Sequence, residues 1–71
     1  MFQKEHIDSL FGELNGEEFK NLPESEQLHR DAHLAIALFD AGRDIPDTID
    51  PRVVSLLEKH GPSAWRPQLK N

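Results

Sequence analysis

Residues 23–42 read PESEQLHRDAHLAIALFDAG, and this stretch decides the fold. Leu28, Ala32, Ala35, Ile36 and Phe39 recur at steps of three and four, the spacing of one helical face. Pro23 suits a first-turn position, where a missing N–H costs nothing, and Glu24 and Glu26 complement the positive helix end. Gly42 is a good stop. The spacing predicts a helix over about 23–41. Leu34, Leu38 and Ala41 form a second apolar stripe beside the first. Together the two cover more than half the circumference, more than a helix in a three-helix chain needs to bury. Either the other helices straddle the second stripe or a partner covers it. We read it as a homodimer or partner interface formed by Leu34, Leu38 and Ala41.

Toward the N-terminus, Ile7, Leu10, Phe11 and Leu14 fall at i, i+3, i+4 and i+7, which predicts a helix over about 3–14 ended by Asn15-Gly16. Asn15 with Glu18 has the spacing of a capping box, and Phe19 and Leu22 would anchor a short helical turn near 16–21. Toward the C-terminus, Ile45-Pro46 and Asp50-Pro51 hold residues 43–50 out of helix. Asp50 then caps a helix with Pro51 at its first position, and Ile49 and Val54 are spaced as a hydrophobic staple. Val53, Leu56, Leu57 and His60 share a face, and Gly61-Pro62 ends that helix at about 60.

No segment alternates with period two, so the reading is all-α, with three main helices in one domain over 1–62. Residues 63–71 form a tail whose Trp65 packs back as a lid or serves as a contact. The expected core is Phe2, Ile7, Leu10, Phe11, Leu14, Phe19, Leu28, Ala32, Ala35, Ile36, Phe39, Val53, Leu56, Leu57 and Trp65.

Composition narrows the function. The chain has 71 residues and a net charge of −5. Residues 1–35 carry eight acids against three bases, whereas 36–71 carry five of each, so the first half holds the whole net charge. Such a surface repels phosphate and attracts basic protein surfaces. Glu5, Asp8, Glu17, Glu18, Glu24 and Glu26 are the candidate acidic contact surface. There is no cysteine, hence no disulfide, thiol nucleophile or thiolate metal site. No apolar run approaches the roughly 18 residues of a membrane span, and the opening residues do not read as a signal peptide, so a cytoplasmic location is expected. A chain this short builds a limited core, and without disulfides or a metal, self-association is the common remedy.

Chemistry finds little support. Ser9, Ser25, Ser55 and Ser63 lack a nucleophile-elbow context, and there is no glycine-rich phosphate loop. The expectation is no enzyme and no cofactor. His29 and His33, one helical turn apart with Glu26 one turn before, are weak candidates for Zn²⁺ or Ni²⁺. Polar residues on the outer face of an amphipathic helix explain them without a metal, and the expectation is none. Arg52, Lys59, Arg66 and Lys70 are candidate nucleic-acid contacts. However, the nine-residue connection over 42–50 is too long for the usual helix-turn-helix, and the acidic balance opposes DNA.

In size, acidity and lack of catalytic motif the chain resembles the small accessory proteins of phages and mobile elements. That resemblance implies a protein that inhibits or redirects a partner by occupying its surface. The expected function is therefore a non-enzymatic, acidic, protein-binding regulator or inhibitor. The alternative is a small dimeric DNA-binding transcriptional regulator.

Overall fold

The structure, a computed structural model, describes residues 2–62. Among them the chain is all-helical, with no strand: α1 (Lys4–Leu14), α2 (Glu17–Lys20), α3 (Ser25–Asp40) and α4 (Pro51–His60). Every expected helix is present, with ends within two residues of those read from the sequence.

Two local readings are corrected. Pro23 does not open α3. Glu24 is the N-cap, and Ser25 N–H donates to Leu22 O at 3.1 Å. Pro23 is thus the second residue of a four-residue turn, a position its fixed φ also suits. Nor does Asn15 cap α2. Gly16 does, and its carbonyl accepts from Phe19 and Lys20 at 3.1 and 2.9 Å. Asn15 instead ends α1, its N–H donating to Phe11 O at 2.9 Å. One residue too few separates α1 from α2 for both roles.

The other signals act as expected. Asp50 accepts the Arg52 N–H at 2.8 Å, and Pro51 follows at the first helical position. Gly42 closes α3 with φ +74, the left-handed conformation that glycine adopts without a Cβ penalty. Its N–H donates to Phe39 O at 3.0 Å and that of Arg43 to Leu38 O at 2.8 Å, the paired bonds of a Schellman cap.

Long-range contacts set the topology. Phe2 N–H donates to Asp40 Oδ1 at 3.0 Å, and the Phe2 ring meets Phe39 edge-on with centroids 5.4 Å apart. At the other end of α1, Asn15 Oδ1 lies 2.9 Å from His29 Nε2. So α1 runs antiparallel to α3. Asp50 N–H, at the start of α4, donates to Asp31 Oδ2 in the first half of α3 at 3.0 Å. Gly61, just past α4, sits against the Phe2 ring beside the far end of α3. So α4 starts against the first half of α3 and ends at the Phe2 ring.

The core fills the space between them. Leu10 and Leu14 of α1, Leu28, Ala32 and Ala35 of α3, and Val53 and Leu57 of α4 are fully buried. Phe2, Phe19 and Leu56 join them as expected. Ile7, Phe11, Ile36 and Phe39, expected in the core, pack against its margin while half-buried. Ile45 and Ile49 in the α3–α4 connection are buried, although only Ile49 had a packing role from the sequence, as a staple. The loop is long enough to fold back over the helices, and both side chains dip into the gap. The core reading of Trp65 lies outside the described residues. No described helix is long and apolar enough to cross a membrane.

Candidate functional site

The outward face of α3 is the first candidate. Among the described residues, Leu34 is the large hydrophobic side chain left in solvent, at 47% exposure. Ala37 and Ala41 beside it are exposed, and Gln27 and Arg30 extend the same face toward the helix start. The structure divides the expected second stripe. Leu38 turns inward and packs against the core margin, while Leu34 and Ala41 face out. One side of the stripe is thus core cover and the other is bare surface.

Charge is sorted in a way the sequence does not show. The described residues hold all thirteen acids and six of the eight bases, which gives them a charge of −7. Three of those bases are tied to carboxylates. Arg52 Nε and Nη2 grip both oxygens of Asp50 at 3.0 and 2.9 Å, and Nη1 lies 3.7 Å from Glu24. The Arg52 hydrogen bond holds the Asp50 carboxyl below its ordinary range, and the same bond raises the guanidinium pKa. Lys59 Nζ pairs with Glu13 at 3.4 Å and Lys20 with Glu17 at 3.1 Å. Glu5, Asp8, Glu18 and Glu26 are exposed and form no ion pair among the described residues. The acidic contact residues therefore do not act alike: Glu17 and half-buried Glu24 are spent internally, and the other four face solvent. Of the proposed nucleic-acid contacts, Arg52 and Lys59 are both engaged, and Arg66 and Lys70 lie outside the described residues, as does Trp65.

The histidines line an aromatic shelf. Phe11 of α1 stacks on His33 with centroids 4.6 Å apart and on His29 at 5.7 Å. His29 Nδ1 lies 2.8 Å from Ser25 O and its Nε2 lies 2.9 Å from the Asn15 side-chain amide, so each ring nitrogen has a polar neighbour. Glu26 stands exposed on α3 and joins neither ring. Among the described residues no group of three or more His, Cys, Asp or Glu is placed to hold a metal ion. His29 and His33 join α1 to α3.

Sequence reasoning missed a junction at the end of α4. Glu13 Oε1 accepts from His60 Nε2 at 2.8 Å as well as from Lys59. The His60 hydrogen bond is the main cause of a Glu13 carboxyl held below its ordinary range; partial burial opposes it, and Lys59 adds to it. The partners are 47 residues apart, and no spacing rule links them. Asp31, read only as a charge, caps the α4 entry through Asp50 N–H. No family model matches the chain, and comparison with curated proteins and with solved structures finds no match.

Proposed function

We propose that this chain is a small acidic binding protein, without enzymatic activity, that regulates or inhibits a partner protein by covering part of its surface. It belongs in this reading with the accessory proteins that act by occupancy, and it works in the cytoplasm as a homodimer through the outward face of α3.

The sorting of charge is the observation that carries the reading. Arg52, Lys59 and Lys20 are neutralised within the fold, while Glu5, Asp8, Glu18 and Glu26 project without a cation. The field outside the protein is therefore negative, which attracts a basic protein surface and repels a phosphate backbone. The DNA-binding alternative loses ground on the same observation, because Arg52 and Lys59 would have to leave carboxylates before meeting a phosphate.

The test is a tagged pull-down from source cells, with and without nuclease, read by mass spectrometry. The expected result is one stoichiometric protein that survives nuclease and is released by raising the salt. The charge-reversed variant Glu5→Lys/Asp8→Lys is expected to lose it. Recovery of nucleic acid, with protein partners lost after nuclease, overturns the reading in favour of a nucleic-acid regulator.

A further inference from the structure

We infer that the outward face of α3 pairs with the same face of a second copy, and that the two α3 helices run antiparallel. The inference rests on the homodimer reading above and adds its geometry. Gln27, Leu34 and Ala41 are seven residues apart, and Arg30 and Ala37 repeat the same step three residues later. This is the a/d spacing of a two-helix seam. All five residues are exposed, on α3 or at its C-cap, and exposed Asp44 lies just beyond the Schellman cap. Alanine at 37 and 41 lets two backbones approach, and Leu34 fills the centre.

Charge chooses the orientation. Arg30 lies in the first half of α3 and forms no ion pair among the described residues. Asp44, exposed, lies just past the other end, while Asp40 is turned to the flank, where its Oδ1 accepts the Phe2 N–H at 3.0 Å. A parallel pair sets Arg30 against Arg30 and Asp44 against Asp44. An antiparallel pair sets each Arg30 toward the Asp44 of its neighbour, twice by symmetry. The helix dipoles then also oppose, which favours the same choice.

The seam has one leucine per copy and spans 16 residues, about 24 Å, so its area falls below the usual ~800 Å² per partner. The expected dimer is therefore weak.

The absence of cysteine makes the test direct. Sedimentation equilibrium of the full chain from about 5 to 500 µM should show a monomer–dimer equilibrium. Leu34→Glu should abolish it while circular dichroism stays unchanged. Arg30→Glu and Asp44→Arg should each weaken it by about fivefold or more, and the double variant should recover most of the loss. Gln27→Cys and Ala41→Cys are then treated with a short bismaleimide. Cross-linked dimer should form when the two variants are mixed and in neither alone. Cross-linking of each variant alone shows a parallel pair, which overturns the antiparallel geometry and leaves the homodimer reading standing. A folded protein that stays monomeric at 500 µM, or a dimer that survives Leu34→Glu, overturns both, and neither result touches the acidic-surface reading, whose test is the pull-down.

Discussion

Glu13 in the last turn of α1 and His60 in the last turn of α4 share a 2.8 Å hydrogen bond across 47 residues of sequence. The bond joins the N-terminal helix to the C-terminal one at a point where Lys59 adds a cationic contact to the same oxygen. It favours the ionised carboxylate, so Glu13 titrates below its ordinary 4.5 in the folded chain.

The sign of the pH dependence follows. A carboxyl with a depressed folded pKa binds protons more readily when unfolded. Its contribution is fully present above pH 4.5 and is lost as pH falls through the lower, folded value. Asp50, also depressed, acts in the same direction from its ordinary 3.8. Urea midpoints measured from pH 7 down to pH 3 are expected to fall on the acid side, and Glu13→Gln is expected to make that fall shallower. An unchanged acid limb in Glu13→Gln would show that the junction contributes nothing to acid sensitivity.

The glycines predict opposite signs for the same change. A Cβ at Gly61 would run into the Leu57 carbonyl and approach the Phe2 ring carbons at 3.2 and 3.3 Å. Phe2 is buried and fixed through Asp40, so it cannot withdraw without loosening the α1–α3 junction. Gly61→Ala should cost about 2 kcal/mol. Gly12 lies inside α1 with nothing within 4 Å of its missing Cβ. Gly12→Ala should therefore stabilise by about 0.5–1 kcal/mol through helix propensity and a less flexible unfolded chain. Thermal melts of the two variants should move in opposite directions.

At the start of α4, Asp50 and Asp31 form a linked pair. The Asp50 side chain caps Arg52 N–H, while its own N–H is held by Asp31 Oδ2 at 3.0 Å. Asp50→Ala should cost about 1–2 kcal/mol, the ordinary loss of an N-cap. Asp31→Ala should cost about 1 kcal/mol. Both act on the position of one residue, so the double variant should cost less than the two added. Strict additivity in denaturant unfolding would mean that the two bonds act independently.

These junctions show where sequence legibility ends. Helix spans and most of the core follow from local rules: the 3.6-residue period in 28–39, glycine at 42, and Asp50-Pro51 at the start of α4. The corrections at Pro23 and Asn15 arise from competition between neighbouring local signals, in which a residue that suits two roles takes only one. The candidate site is less legible. Sequence located the outward stripe but could not show that Leu38 leaves it for the core margin. It offers Arg52 and Lys59 as nucleic-acid contacts, whereas each finds a carboxylate. For Lys59 that carboxylate is 46 residues away and depends on how α4 crosses α1. Periodicity fixes which face a residue occupies, and only packing between helices decides what that face meets.

The same distinction separates two kinds of aliphatic residue by stability. Ile49 sits in a segment that reads as loop, flanked by Asp47, Thr48 and Asp50, yet it is 3% exposed. Leu34 sits mid-helix in the strongest apolar pattern of the chain and is 47% exposed. Ile49→Ala removes buried methyl groups from a packed site and should cost about 3 kcal/mol, whereas Leu34→Ala should stay within about 0.5 kcal/mol. The comparison belongs at low micromolar concentration, where the monomer dominates and Leu34 has no partner to lose. If Leu34→Ala costs as much as Ile49→Ala there, Leu34 is core of the single chain and its face is no interface.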